Sequence, residues 1–177
     1  MKVNAEDIYG KYAGHCESTG PQKKAPEHLL LGLSALMPEG PEHSLLTVRD
    51  EGTKTQWSGC WLTAGALAYV QVSKEVKAWD SDNDPQGRKV VESTGWIRPL
   101  RSISYIEFVD QSPNHHEIAS VQVAHHWVVH FSDGGSIEFP IAYGPDGVDE
   151  DRDAVLDGFV AEIRLAWTKQ LSSPSAA

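Results

Sequence analysis

Residues 118–141 read IASVQVAHHWVVHFSDGGSIEFPI. Val121, Val123, Trp127, Val129 and Phe131 recur at every second position with His125 among them, and Gln122, His126 and His130 fall between. Successive side chains of a strand point to opposite faces, so this alternation predicts a half-buried strand over Ile118–Phe131. Ser132-Asp133-Gly134-Gly135 supplies the turn, because glycine tolerates the positive φ that a tight hairpin demands. Ile137, Phe139 and Ile141 then continue the apolar face on a return strand.

Downstream the period changes. Val155, Leu156, Phe159, Val160, Ile163, Ala166, Trp167 and Leu171 are spaced by threes and fours, which predicts an amphipathic helix over Asp153–Leu171. The acidic stretch Asp146–Asp153 suits its N-terminal end, and Arg164 and Lys169 suit its C-terminal end. Trp167, Phe159 and Ile163 are expected to be buried against the sheet.

Upstream the pattern stays β. Strands are expected over Ser44–Arg49, Thr55–Leu62, Ala66–Lys74, Arg88–Trp96 and Leu100–Val109. Trp57 and Trp61 share one face of the second, and Thr63-Ala64-Gly65 connects it to the third as a hairpin. Polar loops are expected over Asp80–Gly87 and Gln111–Glu117. Glu27–Met37 fits two templates: Leu29, Leu31 and Leu33 alternate as in a strand, while Leu29, Leu33 and Leu36 form a helical stripe. Residues 1–26 are polar and read as an N-terminal extension, with Asn4 placed to cap a short helix over Ala5–Tyr12. Residues 27–171 form the domain, and 172–177 read as a frayed tail.

The fold class is therefore mainly β: about seven antiparallel strands in a curved sheet or partly open barrel, capped by one C-terminal amphipathic helix. That order resembles the pleckstrin-homology-like superfold, in particular its bacterial PH and GRAM-type domains. The likeness is carried by Cys60-Trp61-Leu62-Thr63 with Leu67-Ala68-Tyr69, by Trp96-Ile97-Arg98-Pro99-Leu100 with Ile103, by Phe131-Ser132-Asp133-Gly134-Gly135 with Phe139, and by Trp167 on the helix. It implies a binding module. It does not choose among lipid, peptide and scaffolding roles, because function lives in sites and not in folds.

Composition narrows the classes. Fifteen Lys and Arg against 25 Asp and Glu give a net charge of −10, which disfavours a surface devoted to nucleic acid. No apolar run approaches the roughly 20 residues that cross a bilayer as a helix. The N-terminus carries no apolar signal segment, and the two cysteines, Cys16 and Cys60, make no disulfide framework, so a cytoplasmic protein with free thiols is expected.

Sites for chemistry are sparse. Asp80-Ser81-Asp82-Asn83-Asp84 imitates the start of a calcium loop, but Pro85 and Val91 stand where Gly and Glu are needed, so a solvated acidic turn is expected. His126 and His130 have the spacing of a zinc-binding helix pair, yet they lie on a strand, where four residues span about 13 Å. His115 and His116 lie with Glu117 in a loop. Fewer than three convergent ligands can be named, so no metal and no cofactor are expected. Cys60 sits between Trp and Leu and reads as a core thiol. No catalytic residues are assigned.

Arg88, Lys89, Arg98 and Arg101 form the one basic concentration and are the candidate partner-binding residues. The expected role is a non-enzymatic, PH-like module recognising a protein partner. The alternatives are a hydrolase or metal-dependent enzyme using His and Asp loop residues, and a membrane-surface adaptor. Stable membrane binding is not expected, since Arg49, Asp50, Glu51 and Lys54 cancel in charge where lipid-binding PH domains carry a basic loop.

Overall fold

The computed structural model describes residues 9–16, 23–83, 91–114, 122–139, 143–144, 147–148 and 150–172. The chain divides into two compact units, Met1–Arg98 and Pro99–Ala177.

In the first unit, a helix α1 (Glu27–Leu36) precedes strands β1 (His43–Glu51), β2 (Lys54–Leu62), β3 (Ala66–Lys74) and β4 (Glu92–Pro99). The strands form one antiparallel meander in the order β1-β2-β3-β4. Pro26 stands at the N-cap of α1 with φ −66°, Glu27 occupies the first turn, and Met37 leaves helical geometry just before Pro38. The leucine-rich composition thus resolves as helix, with Leu29, Leu30 and Leu33 buried.

Two glycines let α1 lie close on the sheet. A Cβ on Gly59 would fall 2.8 Å from Leu33 Cδ1, and one on Gly32 would fall 2.9 Å from Val70 Cγ1. Trp57 and Trp61 share the α1 face of β2 and are fully buried, as their spacing predicts. Tyr12, Cys16 and Ala25 belong to the same core, so the segment expected as an extension contributes to the first unit's interior. Of the expected Ala5–Tyr12 helix, 9–11 are helical, and 1–8 lie outside the described residues.

The second unit begins with a 3-10 turn, Leu100–Ser102, followed by β5 (Ile103–Asn114), β6 (Gln122–Phe131) and β7 (Ser136–Phe139). These pair in the order β5-β6-β7; β8 (Tyr143–Gly144) and β9 (Gly147–Val148) form a separate two-residue ladder. The C-terminal helix α2 runs over Glu150–Ser172. The β6–β7 turn is closed by hydrogen bonds between Phe131 and Gly135 at 2.8 Å and between Gly134 and Phe131 at 3.0 Å, with Gly134 at φ +84°. Val129, Phe131, Ile137 and Phe139 are buried, as are Leu156, Phe159, Val160 and Ile163 of α2. The Phe139 and Phe159 rings meet at 6.1 Å.

Several expectations change. The seven long strands form two hydrogen-bonded sheets of four and three, each within its own unit, rather than one curved sheet or barrel. Gln111–Asn114, expected in a loop, continues β5, and Pro113 is paired opposite Val123. An edge strand tolerates proline because its outward amides have no ladder partner to lose. The strand expected from Leu100 starts at Ile103 instead, behind the 3-10 turn. Trp167 is half-buried rather than core, although its indole nitrogen is shut off from solvent. Residues 84–90, 115–121, Ile141 and 173–177, on which other expectations rest, lie outside the described residues, as do the side chains of Val123 and His125.

Candidate functional site

Of the basic quartet, the structure describes Arg98 and Arg101, one in each unit. Arg88 and Lys89 lie outside the described residues. Arg98, on β4, lays its guanidinium over the Trp96 ring at 5.1 Å. Trp96 in turn meets Tyr69 of β3 at 5.6 Å. Arg101 is exposed in the Leu100–Ser102 turn, which belongs to the second unit.

The face carrying Trp96 is satisfied internally. The Tyr69 hydroxyl donates to Gln71 Oε1 at 2.8 Å, and burial pushes its phenol up from the ordinary value. Lys54 and Ser73 both donate to Glu92 Oε2, at 2.9 and 3.2 Å, and hold that carboxyl below the usual range.

Strand β5 presents a different surface. It is an edge of its sheet, and Tyr105, Phe108 and Val109 expose 51%, 43% and 49% of their surface. Its register against β6 shifts at Ser104 and at Val109, which brackets a regular run Tyr105–Phe108. Bulges of this kind bend an edge and stop open-ended sheet pairing, while leaving a short stretch accessible. Phe108 is anchored from the helix side: its ring meets Trp127 edge-on at 5.0 Å, and Trp127 Nε1 donates to Asp157 Oδ1 at 2.9 Å.

On the opposite sheet face, the Tyr105 ring stacks on His130, with centroids 4.2 Å apart and planes 18° apart. His130 Nε2 lies 2.9 Å from Glu107 Oε2, and His126 Nε2 lies 3.9 Å from Glu138 Oε2. The first distance is a hydrogen bond; the second is too long for one. Glu107 and Glu138 both stand opposite Val128, so the two His–Glu pairs flank it on either side. Among the described residues no three His, Cys, Asp or Glu side chains gather as a metal would need.

The remaining reactive groups are engaged. Burial pushes the Cys60 thiol up, which disfavours the nucleophilic thiolate. Cys16 is buried and donates to the Tyr12 carbonyl at 2.9 Å. His15 Nδ1 lies 2.8 Å from Ser44 Oγ, and burial, then the nearby His43, lowers its pKa. Asp80 Oδ1 accepts from the amides of Asp82 and Asn83 at 2.9 and 2.7 Å, so its carboxylate closes a turn.

The chain matches no protein-family model, no curated protein and no solved structure. No helix among the described residues is long and apolar enough to cross a membrane.

Sequence reasoning missed the β5 edge. Its signal was present in Ile106-Glu107-Phe108-Val109, where two consecutive large apolar residues break the period of 2. Such a break marks a bulge, and a bulge points to an edge.

Proposed function

We propose that this chain is a PH-like binding module that recognises a protein partner by pairing with a short extended segment of it along β5. The reading is carried by the exposed edge run Tyr105–Phe108, bracketed by two bulges and bearing large apolar side chains. Strand addition draws affinity from main-chain hydrogen bonds and selectivity from alternate side chains. PH-likeness is supported by the strand number, by antiparallel sheets of four and three, and by the long C-terminal helix. The helix α1 ahead of β1 is this chain's own addition to that pattern. Cytoplasmic residence belongs to the proposal and is supported by Cys16 and Cys60, both buried as thiols and not joined in a disulfide.

Selection of binders from an unbiased peptide library, followed by amide chemical-shift mapping, tests the reading. Selected peptides are expected to shift the amides of Tyr105–Val109. Shifts centred on Trp96 and Arg98 would overturn the β5 assignment.

A further inference from the structure

Strands β5, β6 and β7 contain Glu107, Asp110 and Glu138 but no Lys or Arg. Glu107 and Glu138 are half-exposed and well exposed, at 49% and 70%, on the face that bears His126 and His130. Asp110 stands opposite His126 in the register. The β5 edge that would receive a partner strand therefore carries the Glu107 carboxylate and, in its sequence, no Lys or Arg.

We infer that the segment paired with β5 is basic, with an Arg or Lys side chain set between the Tyr105 ring and the Glu107 carboxylate. This rests on the edge-pairing reading above and adds the chemistry of the partner. Tyr105 and Glu107 are two positions apart on one strand and so share a face. A cation there gains attraction from the ring quadrupole and from the carboxylate together.

The site already holds a competitor. His130 stacks on that ring and bonds that carboxylate. A partner cation therefore takes the ring and the carboxylate in exchange for this imidazole, while Glu138 of β7 and His126 of β6 lie further along the same face.

The probes are three fluorescein-labelled heptapeptides, alternating Thr with Arg, Thr with Gln, and Thr with Glu, read by anisotropy and amide shift mapping. The Thr–Arg peptide is expected to bind most tightly and to shift Tyr105–Phe108. Glu107→Gln should weaken it about two- to fivefold, the scale of one exposed ion pair. His130→Gln, which removes the stacked ring, should tighten Thr–Arg binding and retain its preference over Thr–Gln. A Thr–Gln peptide that binds β5 as tightly as Thr–Arg, or a Glu107→Gln variant with unchanged affinity, overturns the basic partner and leaves edge pairing intact. Thr–Arg binding that maps away from β5 overturns the inference as well. If no peptide binds and no amide of Tyr105–Phe108 shifts, both readings fail.

Discussion

Trp127 Nε1 donates to Asp157 Oδ1 at 2.9 Å, a bond that ties the middle of β6 to the second turn of α2. The same indole supports Phe108 on β5 and lies 5.9 Å from the Arg164 guanidinium. One side chain thus links the edge strand, its neighbour and the helix.

Removing the acceptor leaves a partly buried N–H without its partner. Asp157→Ala should cost about 1–2 kcal/mol, the scale of a hydrogen bond to a charged group in a half-exposed place. Urea denaturation measures it. An unchanged midpoint would show that water replaces the carboxylate without loss.

Three glycines should respond in opposite directions. Gly158 lies within α2, exposed, and a Cβ there meets nothing within 4 Å. Gly158→Ala should stabilise the protein by about 0.5–1 kcal/mol, by lowering the entropy lost on helix formation. Gly59→Ala and Gly32→Ala drive a methyl into Leu33 and Val70 respectively. Each should destabilise by about 1–3 kcal/mol as the core is overpacked. Thermal melts of the three variants decide the signs.

Tyr9 sets an alkaline limit. Burial pushes its phenol up from 10.0 to about 12, and its hydroxyl donates to the Ala25 carbonyl at 2.6 Å. A folded pKa above the unfolded one contributes stability in full below about pH 10, and that contribution is lost as pH climbs towards about 12. Denaturant midpoints at pH 8 and pH 11 should therefore fall less for Tyr9→Phe than for the parent. Asp50 acts at the acid end. Burial raises its carboxyl, but the Thr55 hydroxyl, the Ala78 amide and Lys23 outweigh that and hold it low. Its contribution is present above the ordinary carboxylate range and is lost as pH falls through the depressed value. Asp50→Asn should accordingly flatten the acid limb.

Anionic vesicles should not retain the protein. In the β1–β2 turn, Lys54 is paired with Glu92 at 2.9 Å, and Asp50 engages Lys23 at 3.6 Å. A base near an anionic surface is worth about 1 kcal/mol, and here the neighbouring acids offset it. Co-sedimentation with phosphoinositide-containing vesicles at physiological salt checks this. Saturable binding lost on neutralising Arg98 or Arg101 would move the membrane adaptor to the front.

What could be read from the residues follows from what is local. The β2–β3 hairpin, the Gly134 turn and the α2 stripe each have a period or a turn chemistry that one segment carries alone. α1 stayed open because its leucines fit both periods, and only Gly59 and Gly32, which admit a helix against the sheet, show which one holds. Residues 111–114 read as a loop from their polar residues and Pro113, and only pairing with β6 makes them strand. Trp167 reads as core from its place on the stripe, yet the buried stretch of α2 ends at Ile163. A partner for Arg98 was not legible, since it is Trp96, two residues away on the same strand. Edges and convergence are tertiary properties, and no single segment encodes them.

Tyr12 packs on Trp61 at 4.7 Å, although 48 residues separate them in the chain. The segment carrying Tyr12 is made before β2 and has nothing to rest on until that strand exists. α1 and the β1–β2 hairpin close over much shorter loops, whose entropy cost is smaller, so they should assemble before Tyr12 docks. A contact formed after the rate-limiting step changes unfolding and spares folding. Tyr12→Ala should therefore speed unfolding and leave the refolding rate nearly unaltered. A segment made before the strand it rests on becomes the last piece of the first unit to be locked in place.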